Sequence, residues 1–448
     1  RQVGGRSLTW GGITLRLSDY DLLAAKHDGH GQSWPIQYSD LASHYSFLEN
    51  YFGVHGHKDG LDQLPDGNYL EYYPFTDSEK YFSNKVQNTL GYPLIHSRGF
   101  GPSNSNIKKD WPRSSSPGST LKNALNTGLV ELISEHLVER IILNKSQDKA
   151  RGIISVNKKN GNKELFKSNL IILCASTIQS LRILLSSEEN NIEKGFIDSS
   201  NILGCNLMDH VSTCRFFKLP KFKTARDVNI SKDKKTLSGA GSFFIPLGNK
   251  TSNYEKVDFI RGYGIWGGID RFDIPKYLKK DPDSEIGFLI GHGEVLPCKD
   301  NKITLTKEKD KWGVAIPHIN FIWGENEKKM VKHMNSTIEK AINCAQGEIK
   351  PIKELINLPF INTVLDNAIA TRSECPPPGY YIHEVGGAPM GFTKETSVVD
   401  RWNRLWNCKN VLVVDGACWP TSAWQSPTLT MMAITRRACL KAIEDQKS

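Results

Sequence analysis

His383 is the residue of this 448-residue chain whose surroundings best suit proton-transfer chemistry. Taking a proton from a hydroxyl group near neutral pH needs a base whose pKa lies in that range, as that of histidine does. The chain holds 12 histidines, so a histidine taken alone is more often a surface or core residue. His383 stands apart because it precedes Gly386-Gly387, where the backbone can closely approach a flat ligand. The pattern indicates a base or a hydrogen-bond partner.

A second group of chemical interest is the run Ser426-Pro427-Thr428-Leu429. Serine at the N-cap followed by proline at N1 predicts a helix from about Pro427 to Glu444. The backbone N–H groups of Thr428 and Leu429 would be free, and the helix would aim its partial positive end at whatever precedes it. From the residues alone, Ser426 is a helix cap in the segment that this partial charge faces.

A third candidate lies where a buried strand turns into a helix. Leu170–Cys174 is continuously apolar, as in a strand covered on both faces, and runs through Ala175–Thr177 into a helix over Ile178–Leu185. Such a unit brings helix N–H groups towards an anion. Asp415-Gly416 also follows an apolar strand, and the residues alone favour a plain β-turn there.

One glycine motif is a decoy. Gly262–Gly267 fits the GxGxxG pattern, but no helix opens after it and no βαβ unit surrounds it. A glycine- and aromatic-rich strand is the better prediction for this segment.

The bulk composition excludes several classes of protein. A chain of 448 residues with 39% hydrophobic and 23% charged residues is typical of a soluble protein of two domains. The net charge of +9 is scattered through loops, which argues against nucleic acid, and no apolar run is long enough for a transmembrane segment. Nine cysteines without a CxxC pair predict neither disulfides nor a metal site, and favour a cytoplasmic location. Arg1 is not followed by a signal sequence, so we expect the chain to begin inside a longer protein or after a processing cut.

Taken together, an ordered set of segments resembles the glucose–methanol–choline (GMC) oxidoreductases. The set consists of Val3–Gly12, Ile171–Leu185, Gly204–His210, Tyr381–Gly391 and Val411–Ala433. Each segment alone would be weak, but their order and spacing run from end to end of the chain.

The resemblance implies an α/β plus α+β fold, with a Rossmann-like FAD-binding domain and an inserted substrate domain built on an antiparallel sheet. The family opens with a strand–GxGxxG–helix unit that seats the pyrophosphate, and this first βαβ unit is missing here. We therefore expect the isolated chain to bind FAD poorly and to expose apolar surface beside Leu170–Cys174. The expected division is 1–25 for the flavin-contacting loop, 26–117 for a connecting or lid region, 118–211 for the FAD domain, 212–375 for the substrate domain, and 376–448 for the FAD domain and active site.

The resemblance also assigns roles to residues. It makes His383 the catalytic base and places Ser426 where the family has a second histidine or an asparagine. A relative, pyranose oxidase, bonds its flavin covalently through a histidine at the position of Thr9, so non-covalent FAD is expected here. The residues implied in cofactor binding are Gly4, Gly5, Ser7, Thr9, Gly11, Val138, Ala175, Ser176, Asp415, Gly416, Pro427, Thr428 and Leu429.

The implied function is oxidation of a CH–OH group of a small alcohol, sugar or polyol, with hydride transfer to the flavin. The resemblance leaves open whether oxygen, a quinone or a cytochrome takes the electrons. A non-catalytic relic of the same fold is the alternative, suggested by Ser426 and by the missing opening segment.

Overall fold

The computed structural model describes residues 2–102, 111–144, 148–189, 197–221, 236–357, 375–379 and 381–447. Its helices are α1 (Asp19–Asp28), α2 (Tyr38–Phe52), α3 (Asp77–Leu90), α4 (Thr120–Asn126), α5 (Thr177–Glu189), α6 (Glu325–Cys344), α7 (Ile352–Leu355) and α8 (Thr428–Lys447). Its strands are β1 (Ile95–His96), β2 (His136–Leu143), β3 (Ala150–Asn157), β4 (Lys163–Lys167), β5 (Ile171–Leu173), β6 (His210–Pro220), β7 (Phe243–Gly248), β8 (Tyr263–Ile269), β9 (Ser284–Glu294), β10 (Lys302–Lys309), β11 (Ala315–Asn320), β12 (Glu348–Ile349) and β13 (Val411–Val413).

The largest element is a six-stranded antiparallel sheet in the order β1–β7–β8–β9–β6–β12. Every residue of β7 is buried, and α6 packs against the sheet through Met330 and Met334. Gly291 and Gly293 on β9 leave the space that these two methionine side chains fill. The antiparallel sheet that we expected is present, and both of its faces carry packed side chains.

The second sheet is a parallel pair, in which β5 and β13 align Ile171 with Val411. The structure confirms a strand running into a helix here, and Ile172 in the middle of the strand is 40% exposed, which confirms the exposed apolar surface that we expected beside Leu170–Cys174. Apolar side chains are also exposed between residues 129 and 133, Leu129 at 90%. Within the described residues, this part of the molecule lacks the packing that the large sheet has.

A third sheet, β2–β3–β4, is an antiparallel excursion between α4 and β5. Helix α5 joins it to the rest of the fold. The buried Arg182 of α5 donates to the backbone carbonyls of Val138 and Glu139 on β2.

The expected connecting or lid region, residues 26–117, contains helix α3, which the sequence did not lead us to predict. Thr76 and Glu79 form a capping box that starts this helix, but its buried face includes Ser78, Glu79 and Ser83. Because part of the buried face is polar, the sequence shows no helical spacing of apolar residues there. Glu79 is buried because it pairs with Arg271, and the side chains of both residues are 0% exposed.

The glycine motif at Gly262–Gly267 lies in and next to β8, in the middle of the antiparallel sheet, as the strand interpretation predicted. Gly264 provides room for Trp424, whose ring would otherwise overlap a Cβ at that position. The motif therefore seats an aromatic side chain.

All nine cysteines are free thiols. Across the described ranges, no helix combines the length and the apolar character that crossing a membrane requires.

Candidate active site

Two further imidazole rings and a tyrosine surround His383. The ring centroid of His383 lies 4.9 Å from that of His210 and 6.4 Å from that of His292, and 4.8 Å from that of Tyr381. The Nδ1 atoms of His383 and His210 are 3.0 Å apart, which is hydrogen-bond distance. His383 remains partly exposed, whereas His210 and His292 are buried. Of the three histidines, His383 is therefore the one that a substrate can reach most readily.

His210 connects His383 to the loop that precedes α8. It is the first residue of β6, and its Nε2 lies 2.9 Å from the carbonyl oxygen of Ala423. Ala423 has a φ of 55°, in the left-handed region, which is unusual for a residue other than glycine. The same loop continues to Ser426, so one histidine links the surroundings of both predicted catalytic residues.

Asp209 fixes the backbone of the two hydrogen-bonded histidines. Its Oδ1 accepts the backbone N–H of His210 at 2.7 Å and that of His383 at 2.8 Å. Burial raises the pKa of Asp209 to about 8, and the two backbone hydrogen bonds offset part of that rise. Because one carboxyl oxygen binds the backbone of both segments, the fold sets the spacing between the two imidazole rings.

The histidines of this cluster are neutral at physiological pH. Burial lowers the pKa of His210 to about 4. Burial also lowers the pKa of His383 well below its usual range, and the neighbouring His210, His292 and Arg6 lower it further. A neutral imidazole has a free lone pair, so His383 is in the form that accepts a proton.

The sequence analysis assigned no role in the site to His210 or His292. His292 lies on β9 with its ring stacked on His210 at 5.2 Å, and neither of its ring nitrogens has a protein partner. The segment Gly204–His210 was a usable signal for His210. His292 carried none, because its position depends on the register that places Ser212 opposite it.

Ser426 is buried at the start of the last helix. The helix begins at Thr428, and the N–H of Met431 donates to the carbonyl of Pro427, so Pro427 is the N-cap. The predicted N-cap role of Ser426 is therefore wrong by one position. The side-chain amide of its neighbour Gln425 donates to the buried Asp21 at 2.6 Å, so this amide is already engaged within the protein.

The predicted cofactor-facing turns come together at Gly416. A Cβ at this position would lie 2.5 Å from Thr177 Oγ1 and 2.8 Å from the carbonyl of Glu384, so only glycine fits. The carbonyl of Gly416 accepts the N–H of Gly386 at 2.8 Å. Asp415 accepts the hydroxyl of Ser180 at 2.5 Å, and burial raises the pKa of its carboxyl group to about 6. Three of the predicted motifs thus share one junction.

The glycine-rich loop near the start of the chain joins the same junction through Arg6. Its guanidinium donates to the carbonyl of Ile382 at 2.8 Å and to Glu384 at 2.5 Å, and it also contacts the hydroxyl of Ser176. Arg6 was not among the predicted site residues. Ser7, which was, donates to the carbonyl of Gly4 and accepts the N–H of Ser116.

Most of the remaining predicted residues are exposed, and one already has a hydrogen-bond partner within the protein. Gly5 and Gly11 are exposed with open space where a Cβ would point, and Thr9 and Ala175 are also exposed. Val138 differs, because its carbonyl already accepts a hydrogen bond from Arg182 at 2.5 Å.

These residues fit the flavin and ribityl end of an FAD molecule. Open glycine faces suit a flat ring, and the turn at the exposed Ala175 borders the junction at Gly416. The N–H groups of Thr428 and Leu429 lie in the first turn of α8, where no carbonyl of the helix can accept them. Among the described residues, no strand–glycine-rich turn–helix unit for a pyrophosphate accompanies them.

Comparison with known proteins agrees with this arrangement. Family models described as GMC oxidoreductase match residues 82–212 and 297–435, together more than half of the chain. The chain is 24% identical to 2-methyl-1,2-propanediol dehydrogenase of Mycolicibacterium austroafricanum, over 97% of this chain and 79% of that protein. It is 22% identical to the fructose dehydrogenase large subunit of Gluconobacter japonicus, over 99% of this chain and 81% of that protein.

Solved structures show the same fold. A variant of the formate oxidase of Aspergillus oryzae RIB40, studied for its FAD modification, superposes with a TM-score of 0.64 at 16% identity, covering 99% of this chain and 84% of that one. The chain belongs to the GMC oxidoreductase family. It is an FAD-dependent oxidoreductase that acts on CH–OH donors.

Proposed function

We propose that this protein oxidises a CH–OH group of a sugar, a polyol or a related alcohol, with His383 as the base. The observation that carries the proposal is the position of a neutral, partly exposed histidine on the segment that also joins the Gly416 junction. The proton acceptor and one of the turns at the Gly416 junction are thereby built from one short stretch of chain, residues 383–387.

The reaction needs two bonds of the substrate to break. His383 takes the hydroxyl proton as the O–H bond breaks, and the C=O bond forms as the hydride leaves the same carbon. FAD, when bound, supplies the hydride acceptor. Proton removal favours hydride loss because negative charge builds on the oxygen, so a base at this position lowers the barrier.

The other predicted residues belong to the same proposal. Gly4, Gly5, Ser7, Thr9 and Gly11 would border the flavin ring, together with Ala175, Ser176, Asp415 and Gly416. Pro427, Thr428 and Leu429 would present the positive end of α8. Val138 would contribute backbone atoms at the adenine end. FAD would be non-covalent, since Thr9, the position of the covalent histidine in pyranose oxidase, carries no nucleophile comparable to an imidazole.

The substrate class follows from the named relatives and from the polar lining. One relative is named for a diol and another for a sugar, and both kinds of molecule carry a second hydroxyl near the one oxidised. His292 and Tyr381 add polar groups beside His383, and the hydroxyl of Ser426 would take the part of the family's second histidine or asparagine. Nothing in the comparisons supports the inactive alternative. Oxygen, a quinone and a cytochrome all remain candidates for the electron acceptor.

The test is anaerobic flavin reduction in the protein reconstituted with excess FAD. Mixing with a panel of diols and sugars should bleach the oxidised flavin absorbance, and His383→Ala should slow bleaching by about 100-fold or more, as expected for loss of a general base. The matched control is His318→Ala, which removes an exposed histidine on β11 and should leave the rate unchanged. Equal rates in His383→Ala and the parent would refute the proposal.

A further inference from the structure

His210 is a buried histidine that makes two directed contacts. Its Nε2 faces the carbonyl of Ala423 at 2.9 Å, and its Nδ1 faces Nδ1 of His383 at 3.0 Å. A carbonyl oxygen can only accept, so Nε2 of His210 must carry a proton.

The second contact then has one possible direction. His210 is neutral, since burial lowers its pKa to about 4, and a neutral imidazole carries a single N–H. With that proton on Nε2, the Nδ1 atom of His210 is a lone pair. His383 must therefore donate from its own Nδ1, because two lone pairs 3.0 Å apart would repel.

We propose that His210 is the positioning residue that fixes the tautomer of His383, with the proton on Nδ1 and the Nε2 lone pair free for the substrate hydroxyl. The proposal rests on the function proposed above, since it assigns the accepting atom of the same base. The carbonyl of Ala423 fixes the proton of His210 on Nε2. The left-handed φ of Ala423 belongs to the loop conformation that directs this carbonyl towards His210. His210 itself does not touch the reacting atoms.

The arrangement also suits the state after proton transfer. His383 then carries protons on both nitrogens, and its Nδ1–H still donates to the lone pair of His210. The hydrogen bond becomes charge-assisted and therefore stronger. Asp209 holds both backbones throughout, so neither ring needs to move when the proton arrives.

The first measurement reads the tautomer directly. In FAD-loaded protein labelled with ¹⁵N-histidine, long-range proton–nitrogen correlations distinguish a protonated Nδ1 from a protonated Nε2, and comparison with His383→Ala assigns the His383 signals. We expect the proton on Nδ1. A proton on Nε2 of His383 in the resting protein overturns the proposal.

The second measurement uses variants of His210. His210→Leu removes the acceptor and should lower the rate of flavin reduction by about 100-fold with little change in substrate binding, since a histidine in the wrong tautomer cannot act as a base. His210→Asn keeps an acceptor oxygen near the former Nδ1 and should recover most of the rate. His96→Leu, which removes a histidine with an unpartnered buried Nδ1 on β1, serves as the control and should keep the parent rate.

The outcomes separate the two proposals. If His383→Ala reacts as fast as the parent, the proposed function itself fails. If His383→Ala is slow while His210→Leu, with intact flavin absorbance, is as fast as the parent, only the role of His210 fails. If His210→Leu does not hold FAD, the tautomer measurement on the parent and the rate of His210→Asn decide.

Discussion

The six-stranded sheet and the parallel pair β5–β13 are both built from apolar strands, but they are packed very differently. Every side chain of β7 is buried, while the middle residue of β5, Ile172, is 40% exposed. The substrate side of the site thus rests on a sheet that the described residues complete. The cofactor side rests on a strand with one open face. The contrast teaches that an apolar strand is buried only as far as neighbouring elements cover it.

The largest effect should come from the buried ion pair that ties α3 to the large sheet. Glu79→Ala leaves Arg271 charged and without this partner inside the protein, which should lower the free energy of unfolding by roughly 3–5 kcal/mol. Urea unfolding measures it. Glu325→Ala removes an exposed helix pair with Lys328 and is the control, expected to change stability by less than about 0.5 kcal/mol. Similar losses of unfolding free energy in the two variants would contradict the claim that the buried pair stabilises the large sheet.

A smaller effect is expected where the sheet meets the catalytic loop. Gly264→Ala places a methyl group where the ring of Trp424 lies, and overpacking of this kind costs about 1–3 kcal/mol. Because Trp424 is next to Gln425 and Ser426, substrate binding should weaken as well. Gly313→Ala, at a turn outside the site with a φ of 76°, is strained by its backbone alone and serves as the control in KM measurements. An unchanged KM in Gly264→Ala would show that packing in the sheet does not affect substrate binding.

The smallest effect should be on the open face of the parallel pair. Ile172→Thr replaces an exposed side chain, so the free energy of unfolding should change by no more than about 0.5 kcal/mol. The same change should reduce binding of a hydrophobic dye, because it removes exposed apolar surface. Ile171→Thr is the comparison, since Ile171 is buried on the same strand. A large loss of stability in Ile172→Thr would show that this face is covered in solution.

Local signals made much of the site predictable. The glycine pair after His383, the strand–turn–helix at residues 171–189 and the Asp415-Gly416 turn are each readable within a few residues, and the structure joins all three at Gly416. Arg6 also lies in a segment that the sequence singled out. Its contacts were not foreseeable, because they cross the whole length of the chain.

The missed features depend on tertiary structure. His210 and His292 come together because β6 and β9 pair in a register that places Ser212 opposite His292, and no local pattern specifies that register. Helix α3 was missed because its buried face carries Glu79, whose burial makes sense only once Arg271 is seen beside it. Domain boundaries stay predictions, although β1 at Ile95–His96 already pairs with the large sheet.

The pH dependence of flavin reduction tests the central claim, that His383 acts as a neutral base. Only the unprotonated form works, so the rate must rise with pH through the pKa of His383 and then level off. That pKa is lowered by burial and by His210, His292 and Arg6, so the plateau should be reached below pH 6.5.

Asp209 is the group to control for, because its pKa of about 8 falls within the plateau. Asp209→Asn keeps an acceptor for both backbone N–H groups and removes that titration. In this variant and in the parent, we predict a constant rate of flavin reduction from about pH 6.5 to 8, falling about tenfold per unit at lower pH, and no such profile in His383→Ala. A rate that still climbs tenfold per unit between pH 6.5 and 8, or an identical profile in His383→Ala, would contradict the account.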